Sequence, residues 1–195
     1  MNARLRLVLA LTGALWLPID MAQARGGAPP TEYLDEQTGA TVSIANKPLV
    51  FARERSERAA NMRDYVNLSA ASVNRGGKVE YVLIAYLWST LDPRFTDVLK
   101  ADSLLLLADD RRIVLNANGK QPSDLGIAET VQAPPAGQSL KPMVFPIDLP
   151  TLRFIAATRN VALQVAAGED AYSYDLWEDQ RAALGRFVEF LNGQR

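Results

Sequence analysis

The densest concentration of reactive side chains lies between Phe51 and Tyr65. There Arg53, Glu54, Arg55, Glu57, Arg58, Arg63 and Asp64 crowd a stretch that ends in an aromatic ring. A guanidinium is a planar fork of N–H donors that meets carboxylate or phosphate oxygens two at a time. Several forks on one connection predict a grip for an anionic group, with Arg53, Arg55 and Arg63 converging on one exposed patch and Asp64 beside them. An acid stands next to nearly every arginine, however. The same run therefore also reads as a solvated loop whose opposite charges neutralise one another in weak surface pairs. A second group, Trp88, Ser89, Asp92 and Arg94, closes a long apolar segment. An aromatic with polar neighbours at a strand end suits the wall of a ligand pocket. Core packing is the competing reading for Trp88, because it belongs to the apolar alternation that precedes it.

The chain contains no His and no Cys, which removes most familiar constellations. Serine and cysteine triads lose their general base, no serine is followed three residues later by lysine, and thiol redox chemistry and Cys/His zinc sites are absent. The fragment Asn116, Asn118, Gly119 has part of a calcium-loop register. Val114 and Leu125 stand where that loop needs acidic ligands, so it fails. Asn67, Leu68 and Ser69 match a glycan-acceptor pattern but fall inside an expected strand. Paired carboxylates remain possible, since glycoside cleavage needs only two suitably spaced acids. No cofactor is implied.

The elements that must position these residues are mostly short strands. Tyr33–Leu34 and Thr41–Ile44 flank a turn at Asp35–Gly39, and Pro48 marks the start of a strand at Leu49–Ala52. Tyr65–Val73 and Val79–Thr90 form a hairpin around Gly76 and Gly77, which supply the positive φ angles of a tight reversal. Along the second arm Val79, Tyr81, Leu83, Ala85 and Leu87 alternate with Val82, Ile84, Tyr86 and Trp88. Both faces are apolar, so the strand is central and each face needs a cover. A second hairpin joins Leu104–Ala108 to Arg112–Leu115, followed by an irregular stretch from Asn116 to Gln138. Met143–Pro146 and Val161–Ala167 read as strands around a short helix at Leu149–Thr158, and Tyr172–Leu176 as the next hairpin arm. Asp175 and Glu178 have capping-box spacing ahead of a terminal helix whose Leu184, Phe187, Val188 and Leu191 share one face. The fold class expected is α+β: mainly an antiparallel sheet or sandwich, with the short helix and the C-terminal helix packed on it.

Residues 1–24 have the order of an export signal: Arg4 and Arg6, the apolar Leu7–Leu17, Pro18, then Ala22 and Ala24 around Gln23. The eleven apolar residues fall short of the roughly 20 that span a bilayer. Cleavage after Ala24, a flexible lead over 25–32 and one globular unit over 33–195 are expected. The balanced charge of that remainder gives no reason to expect nucleic acid. Without a Cys there is no attachment point for a lipid, and no stable membrane insertion is expected once the signal is removed.

Tyr33, Leu34, Asp35, Thr38, Gly39, Ala40, Phe51–Arg55, Arg63–Tyr65, Asn74, Arg75 and Tyr86–Thr90 carry a resemblance across Tyr33–Asp92. The segment resembles a group of proteobacterial exported proteins of unknown function, some of them lipoproteins. The resemblance implies an envelope location and brings no catalytic residues. The expectation is a periplasmic or secreted, noncatalytic binding or assembly protein whose partner is an envelope protein or an anionic small molecule. The alternative is a carboxylate-dependent glycan hydrolase of the envelope.

Overall fold

The computed structural model describes residues 28–58, 60–127 and 139–194. The expected signal, the expected lead up to residue 27 and the irregular stretch 128–138 lie outside the described residues. Strands β1 (Thr31–Asp35) and β2 (Ala40–Ile44) make the first hairpin, so Thr31 and Glu32, expected in a flexible lead, are strand residues paired to Ile44 and Ser43. Next come β3 (Leu49–Glu54), β4 (Arg63–Arg75), β5 (Lys78–Ser89), β6 (Ser103–Ala108), β7 (Arg111–Leu115) and β8 (Leu140–Pro146). Helix α1 (Leu149–Ala157), β9 (Val161–Ala167), β10 (Asp170–Glu178) and α2 (Arg181–Gly193) complete an α+β architecture.

All strand pairings are antiparallel and belong to one sheet, in the order β1-β2-β4-β3-β10-β9-β6-β7, with β5 on the other edge of β4 and β8 beyond β5. The branch point is β4. One edge pairs with β5 from Asp64 to Arg75, while the opposite edge is shared between β3, over Arg63–Leu68, and β2, over Ala71–Asn74. Gly76 and Gly77, at φ 57° and 87°, make the two-residue loop that locks the β4–β5 register.

The alternation expected along β5 separates two cores. Leu83, Ala85 and Leu87 enter the larger one with Phe51, Val66, Leu68, Leu106, Phe145, Leu163 and Tyr174, which α1 and α2 cover through Leu152, Ile155, Leu184 and Phe187. Val82, Ile84 and Tyr86 enter the smaller one on the opposite face, with Val42, Ile44, Val73, Leu125 and Ile127. Burial of both faces is why β5 carries an unbroken apolar run. Gly126 holds the cover of the smaller core against the first hairpin: at φ 77° it accepts a hydrogen bond from the Tyr33 hydroxyl, and a Cβ there would lie 2.7 Å from Thr38 Oγ1.

Two sequence expectations are corrected. Asp175 and Glu178 do not cap α2, because β10 continues through both to pair with Ala52 and Val50 of β3, and the helix begins after Gln180. Pairing across the strand satisfies more backbone groups than an early helix start would. The charged run is likewise strand at both ends, with Arg53 opposite Asp64 and Glu54 opposite Arg63. No helix among the described residues is long and apolar enough to cross a membrane.

Candidate functional site

Along β4, Asp64, Val66, Leu68, Ala70, Ser72 and Asn74 point to the same side. The middle of that row lies in the larger core. Its two ends carry the polar chemistry of the molecule, and they are built differently.

At the Asp64 end, Arg55 and Asp64 are 2% and 0% exposed. Arg55 Nη1 donates to Asp64 Oδ2 at 2.6 Å and Nε donates to Glu57 Oε1 at 2.5 Å, with Asp97 Oδ2 3.9 Å from Nη2. The second oxygen of Asp64 accepts from the Thr96 hydroxyl at 2.5 Å. Burial alone would make the Arg55 guanidinium easier to deprotonate. The bonds from Glu57 and Asp64 outweigh that and hold it more firmly protonated than usual, while Arg55 keeps the Glu57 carboxyl below its usual range. Arg53 lies over the Tyr172 ring at 3.9 Å, and its Nη1 and the Tyr174 hydroxyl are each buried without a hydrogen-bond partner. Burial pushes the Tyr174 hydroxyl well above the ordinary phenol range. The 3₁₀ turns Pro93–Phe95 and Val98–Lys100 close this end, with Val98 entering the larger core.

The expected exposed arginine patch is corrected here. Strands β3 and β4 extend far enough that Arg55 and Asp64 turn inward, where each charge needs an internal partner, while Arg53 is half-buried against the Tyr172 ring. Arg63 lies apart: its Nη2 donates to Glu54 Oε1 at 2.6 Å and its guanidinium sits over the exposed Trp177 ring at 4.6 Å. Asp92 caps the first 3₁₀ turn and takes three hydrogen bonds from Arg94, which hold its carboxyl down at about 2. Half-buried Trp88 stacks on Tyr65 at 4.3 Å and donates to Asn67 Oδ1, so it belongs to neither hydrophobic cluster. The six residues singled out from the sequence are thus divided among four separate arrangements. Glu57, Asp64 and Asp97 converge on one guanidinium as counter-charges.

At the Ser72 end the same face opens into a groove. Register aligns Glu32, Ser43, Ser72 and Tyr81 in one row across β1, β2, β4 and β5, and Leu34, Thr41, Asn74 and Val79 in the next. A cavity of about 580 Å³ lies over these rows, walled by Leu191 and Gln194 at the end of α2. Glu32 Oε2 accepts from Ser43 Oγ and from Gln194 Nε2, both at 2.8 Å, tying the edge strand to the helix terminus. Asn74 Oδ1 accepts from the Gly77 N–H of the hairpin loop. A second lobe of about 610 Å³ continues past Val79 and Tyr81, which line both, to Lys78, Lys120 and Pro146–Pro150. Lys120 is held there by both oxygens of Glu80, and Asp148 accepts from Thr151 N–H at the start of α1. The Thr151 backbone N–H is the main reason its carboxyl stays below the usual range.

No family model, curated protein or solved structure matches this chain. The groove's capability follows from its surface. Hydroxyl and amide groups offer both donors and acceptors, Tyr81 offers a ring, and Leu34 and Val79, 64% and 44% exposed, flank the second row. Among the described residues no three acids gather as a metal cluster. The groove was missed in the sequence. Its trace is the alternation of Thr41 and Ser43 with Val42 and Ile44, and of Ser72 and Asn74 with Ala71 and Val73. That pattern marks a polar face without saying that these four residues meet.

Proposed function

We infer that this chain is a noncatalytic binding or assembly protein of the bacterial envelope, and that its ligand lies in the groove across β1, β2, β4 and β5. The observation that carries the reading is the pair of lobes joined through Val79 and Tyr81. Two neighbouring cavities that share Val79 and Tyr81 suit an extended ligand better than a compact one. The envelope location draws on the leader-like order of residues 1–24 and on the resemblance carried by Tyr33–Asp92. A hydrolase reading gains no support from the carboxylates around Arg55, since Asp64 is wholly buried and bonded on both oxygens.

A photo-crosslinking residue placed at Thr41, compared with one at Asp110 on the distant β6–β7 hairpin, tests the site in living cells. The expected result is a discrete adduct from position 41 and none from position 110. Equal labelling from both positions would reject the groove. Mass spectrometry of the exported product is expected to place its first residue near Arg25.

A further inference from the structure

We propose that the groove takes a neutral, polyhydroxylated chain, a glycan segment, lying across the strands rather than along them. This rests on the groove being the binding surface and adds the class of ligand.

Charge is the first argument. In the first lobe the charged lining residue is Glu32, already accepting two hydrogen bonds, and no cation among the lining residues awaits an anion. A carboxylate in that position disfavours phosphate and carboxylate ligands. The second lobe carries Lys78 and Lys120 against Glu80 and Asp148, a balance of formal charge, with Lys120 paired to Glu80. The arginines lie at the opposite end of the face: Arg55 is buried and paired with Asp64 and Glu57, Arg63 is paired with Glu54, and Arg53 lies over the Tyr172 ring.

Direction is the second argument. Peptides that bind sheets normally add along an edge, where unpaired backbone groups supply the affinity. In the groove floor the backbones of β2 and β4 are paired on both edges by their neighbours. What is offered is side chains: the exposed Thr41 hydroxyl, which both donates and accepts, and the exposed Asn74 amide, with Ser43 and Ser72 lying deeper in the floor at 3% and 5% exposure. Four strands at about 4.8 Å spacing give a floor about 14 Å wide, running at right angles to the strands. Sugar hydroxyls have the same donor–acceptor duality as this floor, and the apolar face of a sugar ring matches Tyr81 and Val79 in the lining.

The test uses the full chain, with cello-, malto- and chito-hexasaccharides as neutral probes and a heparin hexasaccharide as the polyanion, read by calorimetry. At least one neutral probe is expected to bind, with little change between about 0.05 and 0.5 M salt. Thr41→Arg, which fills the floor at an exposed position, is expected to weaken that binding by about tenfold or more. Tyr81→Leu, which keeps the apolar packing and removes the ring, is expected to weaken it by a smaller factor. Failure of all neutral probes, or binding indifferent to Thr41→Arg, overturns the glycan assignment. If neutral sugars fail while heparin binding responds to Thr41→Arg or the crosslinker at position 41 gives its discrete adduct, the groove stands and the ligand class falls. If no bound species responds to Thr41→Arg and position 41 gives no discrete adduct, both fall.

Discussion

The two ends of one face of β4 use polar side chains for opposite purposes. At Asp64, neighbouring strands and the two 3₁₀ turns exclude water, and every oxygen of the carboxylate is committed to Arg55 or Thr96. At Ser72 and Asn74 the face runs past the cover of the helices, and α2 reaches it only with Leu191 and Gln194. The ion pair is enclosed at one end, and at the other the neutral Thr41 and Asn74 side chains are exposed above buried Ser43 and Ser72. The contrast teaches that the most charged stretch of a sequence is a poor guide to a binding surface once the fold supplies its counter-ions. Enclosed charges must pair internally because desolvation of a lone ion costs several kcal/mol.

The strongest way to break this contrast is Asp64→Asn, which leaves the Arg55 guanidinium buried with only Glu57 and Asp97 nearby. A loss of about 3 kcal/mol is expected, a fall in Tm of roughly 6–12 °C by thermal unfolding. An unchanged Tm would show that the closed end is not held by its ion pair. The double variant Arg55→Met/Asp64→Leu removes both charges and is expected to recover most of that loss, since apolar replacement of a buried pair is often neutral. If it stays as unstable as the single variant, shape rather than charge governs that end.

Smaller effects belong to the open end and to the surface. Asp148→Ala removes the side-chain cap of α1 beside the second lobe and is expected to cost about 1 kcal/mol in chemical denaturation, leaving the closed end intact. Acid should weaken the molecule in a defined direction. Arg55 holds Glu57 below its usual 4.5, Arg94 holds Asp92 at about 2, and Arg181 lowers Asp179. The unfolded chain therefore binds more protons in that range, so stability present above pH 4.5 is lost as pH falls toward 2. Because these carboxyls are largely at the surface, added salt should flatten the slope. A stability that rises on acidification would refute the pairings. Thr41→Arg, the smallest perturbation of stability, is expected within about 0.5 kcal/mol of the parent by denaturant titration. A larger loss would mean that the groove floor is structural rather than free for a ligand.

Much of the architecture was legible in the residues. Gly76 and Gly77 marked the central hairpin, the double apolar face of Val79–Trp88 marked a central strand, and Leu184, Phe187, Val188 and Leu191 marked the docked face of α2. The α2 start was misread because Asp175 and Glu178 satisfy a local cap rule that pairing with β3 overrides. The site was less legible. Arg53, Arg55 and Asp64 drew notice for their charge, but the direction in which each points depends on where β3 and β4 end. Ser43 and Ser72 drew none, although their cross-strand register makes them neighbours.

By itself the sequence determined period and composition: alternation that makes strands, glycines that reverse them, and a repertoire without imidazole or thiol. Those are properties of neighbours along the chain, and local sterics and side-chain chemistry are enough to set them. Only the tertiary structure decided that β4 would split its outer edge between β3 and β2, and so which end of its inner face would be sealed and which left open. That choice depends on long-range register and on where two helices stop covering the sheet, and burial at a distance has no signature in any short run of residues.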